Sequence, residues 1–387
     1  MPKEKPTSEN SQSESSVASR REFLKGRAAL SALADKAREM ADAATASFEA
    51  ASGNRSVSSQ QSQKVALLEI TRRAKACDFQ VQYHAADGPR FTSTMLEVME
   101  SLEPLEAQLT IYRETSEVLD INAYAASAPI EVEPRLFQLF QLAAWLHSET
   151  QGAFDMTSGP LSRAWGFLKR EGGLPEEHEI ADALGNVDAT AIELNDLEKT
   201  VHFTKPHLEI NFNSIGKGYA LDRLAEQLAR KKIDNYLWHG GRSSVLARGR
   251  NFSDQHDAWS VGIRDPLKPE ERLGEIHLRN QALGTAGSGT QFFEHEGHRY
   301  GHLIDPRTGW PAEGVYTATA VAETAAEADA LATAFYVLGP GGTAEYCAAH
   351  PEVAALLVCP PFSEEGEQEV EIHAFNLDEG VWTRLSS

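Results

Sequence analysis

Cysteine is scarce in this chain: Cys77, Cys347 and Cys359 are the only three in 387 residues. They are too few and too scattered for a disulfide framework or a thiolate zinc site, so each reads as a buried thiol. Long apolar runs are missing as well. No stretch approaches the roughly 18 residues of a membrane-crossing helix, so no transmembrane span is expected in the body. Positive charge is in short supply, with 36 Lys and Arg against 57 Asp and Glu and a net charge of −21. The charges of residues 1–62 nearly balance, which leaves the acidity in the body. An acidic body repels nucleic acid and anionic membranes. Any anionic ligand therefore needs a local positive site or a metal. There is no Walker A loop, no Rossmann GxGxxG and no internal repeat, so the generic nucleotide-loop rules do not apply.

Residues 1–18 are rich in Ser, Glu, Lys and Pro and read as disordered. Ser19-Arg20-Arg21-Glu22-Phe23-Leu24-Lys25 follows and closely resembles the twin-arginine export signal, an address read by a receptor. Residues 28–34 would be its apolar region, but Asp35, Lys36, Arg38 and Glu39 interrupt it. The alternative is an amphipathic alanine-rich helix that happens to begin with two arginines, in a cytoplasmic protein. The seven-residue match tips the expectation towards export to the periplasm or cell envelope. Residues 50–63 are Ser/Gln/Gly-rich and read as a linker. The expected division is a leader and linker over 1–62 and one body over 63–387.

Within the body, residues 79–83 alternate as a strand does. Residues 93–109 and 134–148 carry apolar side chains at helical spacing. Residues 200–203 and 207–212 read as two strands joined by a turn at Lys205-Pro206. Residues 216–230 form an amphipathic helix, and 236–238, 244–247, 259–263, 317–322 and 354–359 are further strands. Strands and helices mix without a regular βαβ repeat, which predicts an α+β fold.

The chemistry concentrates near the C-terminal end. Residues 300–311, YGHLIDPRTGWP, place His302, Asp305 and Arg307 within six positions. Asp305 and Arg307 either serve a site or simply pair with each other and with turn amides. Residues 327–335, EADALATAF, put Asp329 and Thr333 four apart, on one face of a helix. A carboxylate and a hydroxyl there suit a hard cation such as Mg²⁺, and such a site beside a His/Asp/Arg turn suggests chemistry on a phosphate. Three weaker motifs precede these. Asp155 and Thr157 alternate with Phe154 in GAFDMTSGPL, although Asp and Thr are common turn formers. In NSIGKGYA, Lys217 sits between two glycines at a helix start, where free N–H groups favour an anion. Residues 284–290, GTAGSGT, read as a small-residue loop that holds a planar ligand or is a flexible turn.

Together these motifs resemble the ApbE-type flavin transferases, the FAD:protein FMN transferases. Ser116-Glu117 with Asn122, GAFDMTSGPL, NSIGKGYALD, WHGG, WSVGIRDP, YGHLIDPRTGWP and EADALATA follow the family's order from about residue 65 onward. The resemblance implies a single compact α+β body with a flavin cleft. It also implies a reaction: the FMN half of FAD passes to a Thr or Ser of a partner redox protein carrying a short flavinylation motif, AMP leaves, and Mg²⁺ is required. By position, Asp329 and Thr333 would ligate Mg²⁺ with the backbone carbonyl of Ser214. His302 would accept the hydroxyl proton and Asp305 would orient the site. Asp155, Thr157, Lys217, Gly240, Gly241 and Thr285 would hold FAD. The chain departs from the family pattern at Arg242 (usually acidic), at Asn211 (usually Asp) and at Lys75-Ala76-Cys77 (usually Met-Gly-Thr). These departures bear on flavin placement, and they keep two alternatives in view: a flavin-binding protein without turnover, and a pyrophosphatase that splits FAD into FMN and AMP.

Overall fold

The computed structural model describes residues 66–361 and 370–385, apart from 75–76, 114, 253, 290 and 379. The Arg20-Arg21 motif and the remainder of 1–62 lie outside them. The first described elements form a hairpin, β1 (Leu67–Ala74) and β2 (Cys77–His84). Phe79, Val81 and Tyr83 of β2 point into the core while Asp78, Gln80 and Gln82 face away, the period of two that a pleated strand requires. Residues 93–109, expected as one helix, fold as two: α1 (Gly88–Met99) and α2 (Leu102–Leu109). Pro104 supplies the reason. Its ring would clash with the carbonyl of residue 100 in a continuous helix, and it has no N–H to donate. After α3 (Glu117–Tyr124) and β3 (Ile130–Glu131) comes α4 (Pro134–Glu149). Glu133 starts α4 by accepting the N–H groups of Arg135 and Leu136, with Pro134 in the first helical turn.

Two short helices, α5 (Gly159–Ala164) and α6 (Glu177–Leu184), lead to β4 (Ile192–Asn195) and β5 (Thr200–Phe203), which make a small sheet with β3. Residues 207–212 do not form the expected strand. The Asn122 side chain takes the place of a neighbouring strand there, accepting from Ile210 N at 2.8 Å and donating to Ile210 O at 3.0 Å. Leu221, Leu224, Ala225 and Leu228 give α7 (Gly216–Arg230) one buried face, as the sequence predicts.

Then follow β6 (Tyr236–Gly240), β7 (Ser244–Arg248), β8 (Trp259–Arg264), β9 (Arg272–Leu278), β10 (Ala282–Gly287) and the hairpin β11 (Phe292–His295) with β12 (His298–Gly301). The chain continues through β13 (Thr317–Ala322), α8 (Ala325–Ala349), β14 (Ala354–Cys359), β15 (Glu371–Phe375) and β16 (Trp382–Arg384). The small-residue segment beginning at Gly284, read as a loop, is mostly strand β10. The helical path of α8 breaks at Gly339 (φ 66°), just before Pro340.

The main sheet has eight strands in the order β1-β2-β6-β7-β10-β13-β14-β15, and each neighbouring pair is antiparallel. One seam joins distant parts of the chain: Phe79 of β2 lies opposite Gly240 of β6. One face of the sheet packs on α7 and α8 through Trp238, Leu246, Ala282, Ala318 and Ala320. Leu237, Val245, Leu283, Val321 and Leu356 on the other face meet Trp259, Ile276 and Leu278 of the three-stranded sheet β16-β9-β8. The architecture is α+β, with helices, main sheet and second sheet as layers. No helix of the described residues is long and apolar enough to cross a membrane.

Candidate active site

Asp329 sits in the second turn of α8, 6% exposed. Its Oδ2 accepts two hydrogen bonds, from Gly218 N of α7 at 2.7 Å and from Ser244 Oγ of β7 at 2.8 Å. Its Oδ1 takes none among the described residues and is left for a ligand. Burial raises the carboxyl to about 6, against the opposing pull of Lys217, Ser244 and Gly218. Two glycines let α8 come this close. A Cβ on Gly218 would overlap the Ala325 carbonyl, and a Cβ on Gly284 of β10 would overlap the Ala328 carbonyl. The contact between α7 and α8 is reciprocal: Asp222 of α7 accepts from Ala325 N at 2.9 Å and Ala326 N at 2.8 Å, the free amides that open α8. Thr333, one turn beyond Asp329, makes only a long 3.4 Å bond to the Asp329 carbonyl, so its hydroxyl remains available. Ser214 lies two residues before α7, half-buried at the helix start whose Gly218 amide touches Asp329.

Lys217 lies beside Asp329, and its charge reaches His302 as well. Its aliphatic chain passes Gly241, whose hypothetical Cβ would stand 3.6 Å from Lys217 Cδ and 3.0 Å from Cys77 Sγ. His302 follows β12. Its Nδ1 is 3.1 Å from the Gln291 carbonyl. A carbonyl only accepts, so Nδ1 carries the proton and Nε2 of the neutral ring keeps a lone pair. Burial pushes the imidazole below its ordinary value and Lys217 pushes it further, while the Gln291 carbonyl opposes both. The ring meets Phe167 edge-on at 6.3 Å. The segment is tied back to α8 by Tyr336, whose hydroxyl donates to Ser288 Oγ at 2.9 Å. Asp329, Thr333 and Tyr336 thus share one stripe of α8.

The other expected site side chains have polar atoms bonded within the protein. Asp305 is bound by Arg307, through Nε to Oδ1 and Nη2 to Oδ2, both 2.8 Å, and by the Arg307 amide at 2.9 Å. It shapes the Asp-Pro-Arg-Thr-Gly turn, while the partner that orients His302 is the Gln291 carbonyl. Asp155 and Thr157 are buried, and their polar atoms are engaged internally. Asp155 accepts from Thr157 N at 2.6 Å and faces His147 Nδ1 at 3.1 Å; Thr157 Oγ1 accepts from Asp188 N at 2.9 Å. The strand period turns Thr285 away from α8, on the face opposite Gly284, where its hydroxyl meets Thr319 Oγ1 at 3.0 Å. Gly240 faces α7 from the end of β6. Asn211 Oδ1 accepts from Asn213 N at 2.9 Å, a task an aspartate performs equally well. Sequence reasoning missed Ser244, Gln291 and Tyr336. Tyr336, seven positions after Asp329, was open to detection by helical spacing. Gln291 acts through its carbonyl, which leaves no trace in residue type.

The ApbE family model matches residues 76–357. The chain belongs to the ApbE family. Among ApbE relatives, the FAD:protein FMN transferase of Treponema pallidum is 30% identical over 277 residues, 68% of this chain and 76% of that protein. That of Haemophilus influenzae is 28% identical over 285 residues, 70% of this chain and 81% of its own length. Among solved structures, the ApbE protein of Thermotoga maritima superposes with a TM-score of 0.68 at 27% identity, covering 79% of this chain and 96% of that one. The apo form of the Pseudomonas stutzeri flavinyl transferase ApbE gives 0.69 at 26% identity, covering 80% and 95%.

Proposed function

We propose that this chain is an Mg²⁺-dependent FAD:protein FMN transferase that moves the FMN half of FAD to a Thr or Ser hydroxyl of a partner protein and releases AMP. The observation that carries this reading is the buried Asp329 carboxylate, held through Oδ2 by Gly218 N and Ser244 Oγ, with the Thr333 hydroxyl one turn further along the same helix. Lys217, in an acidic protein, supplies local positive charge of the kind that a pyrophosphate needs. The donors fit Mg²⁺: Asp329 Oδ1, Thr333 Oγ1 and the Ser214 carbonyl are hard oxygens. When bound, Mg²⁺ neutralises charge on the phosphoryl oxygens. His302 Nε2 takes the proton of the acceptor hydroxyl. The hydroxyl oxygen bonds to the phosphorus of the FMN half, and the bond from that phosphorus to the bridging oxygen breaks, so the oxygen leaves with AMP. Lys217 holds the pyrophosphate charge beside these groups. Arg20-Arg21 would send the enzyme to an acceptor outside the cytoplasm.

The test is incubation of the purified chain with FAD, Mg²⁺ and an acceptor peptide carrying a Thr or Ser. A covalently fluorescent acceptor with stoichiometric AMP is the expected result. Free FMN with an unlabelled acceptor would make the chain a pyrophosphatase, and unchanged FAD would make it a binder.

A further inference from the structure

Among the described residues, Asp254, His256 and His277 are the cluster whose ligand-type atoms converge, all within 4.8 Å of one another. They belong to the second sheet and the loop leading into it, on the side of the main sheet away from α7 and α8. We infer that these three residues form a separate site for a zinc-class divalent metal. The donor set decides the class. Two imidazole nitrogens and one carboxylate oxygen suit Zn²⁺ and its neighbours, whereas Mg²⁺ wants oxygen alone.

His277, 4% exposed, is already set in place. Its Nε2 is 2.8 Å from Thr383 Oγ1 of β16, and its Nδ1 is 2.8 Å from Ser260 Oγ. Ser260 gives its one proton to Asp254 Oδ2 at 2.6 Å, so Nδ1–H donates to Ser260 in the metal-free protein, and a metal takes Nδ1 by displacing that proton. Metal-binding histidines have their second nitrogen anchored in this way, and a threonine hydroxyl serves either tautomer. His256 lies over the His277 ring, with centroids 3.7 Å apart and planes 17° from parallel. Two imidazolium ions cannot share that contact cheaply, so the pair favours neutral rings, which is the ligand form. Tetrahedral zinc, with bonds of about 2.0–2.1 Å, brings its ligands roughly 3.4 Å apart. His256 is half-buried in the loop between β7 and β8, and binding requires its side chain to turn so that ligand atoms now within 4.8 Å of one another close to that spacing. Three protein ligands leave a fourth position for water. A metal here ties that loop to β9 and, through Thr383, to β16.

The full chain, stripped with chelator, is titrated with zinc chloride in excess Mg²⁺, and with cobalt chloride followed by visible absorption. One Zn²⁺ per chain that Mg²⁺ does not displace, and the intense visible bands of low-coordinate Co²⁺, are expected. His256→Ala changes a half-buried loop residue, so its metal-free melting curve should match wild type while zinc binds at least about 100-fold more weakly. Thr383→Val, which removes only the anchor of Nε2, should weaken zinc by about 10–100-fold. Equal zinc affinity in wild type, His256→Ala and Asp254→Asn would overturn the assignment, as would the absence of any site that binds zinc more tightly than Mg²⁺.

Discussion

Asp329 and His302 divide the chemistry at the site, and each has a substitution that isolates its part. Asp329→Asn keeps an oxygen to accept from Gly218 N and Ser244 Oγ but removes the charge. Flavin transfer should fall to background with little loss of melting temperature, since a buried carboxylate no longer has to be desolvated. Transfer at the wild-type rate under limiting Mg²⁺ would remove Asp329 from the metal site. His302→Gln should lower kcat by about 10²–10⁴ and leave FAD affinity nearly unchanged, because a base acts mainly in the transition state. Loss of FAD binding in step with rate would make His302 a ligand contact. The two groups also fix the acid limb of the pH profile. Asp329 gains its charge as pH rises through about 6. His302 becomes neutral as pH rises through a value held below the ordinary imidazole range. Both must lose a proton, so log(kcat/KM) at limiting Mg²⁺ should climb with a slope approaching two once pH falls below the values of both groups. Saturating Mg²⁺ favours the Asp329 carboxylate and should reduce that slope towards one. A slope of one at both Mg²⁺ levels would show that only one of these protons matters.

At the level of elements, the site depends on how closely α8 can lie on α7 and β10. Gly218→Ala and Gly284→Ala each place a methyl group against a carbonyl of α8, a rigid backbone atom that cannot rotate away. Each should cost about 1–3 kcal/mol in denaturant unfolding and weaken Mg²⁺ binding, because Asp329 rides on the helix that must move. Ala-scale substitutions at the solvent-facing Gly173, with nothing within 4 Å of its Cβ position, provide the control. The elements legible in the sequence were those whose own periodicity is strong: α4, α7, β13 and β14 match the expected spans closely. Legibility failed where a distant partner decides the conformation. Residues 207–212 have strand-like alternation but pair with the Asn122 side chain, and the glycines of β10 look like a loop until α8 is laid across them. The site was legible in the same uneven way. Lys217, His302 and Asp329 converge, whereas Asp155, Thr157, Asp305 and Asn122 carry family-like motifs whose side chains are occupied in holding loops together.

For the whole molecule, Lys217 adds positive charge near Asp329 in an acidic protein, and the layered fold puts the two proposed cation sites on opposite faces of the main sheet. Fused to a reporter active only outside the cytoplasm, residues 1–62 should direct export, and Arg20→Lys with Arg21→Lys should stop it. A reporter retained by the unmodified leader would place the meeting with the acceptor in the cytoplasm. The seam between β2 and β6 has a consequence for synthesis. Until the ribosome has passed Gly240, the β1–β2 hairpin has no strand on its inner side, and Tyr83 has only the nearby helices, through Phe91 and Thr92 of α1, to pack on. A nascent chain of that length carries an open strand edge, the structure most prone to pair with another copy. A fragment covering 63–230 should therefore aggregate rather than fold, and production of the intact enzyme should depend more on chaperones early in translation than late.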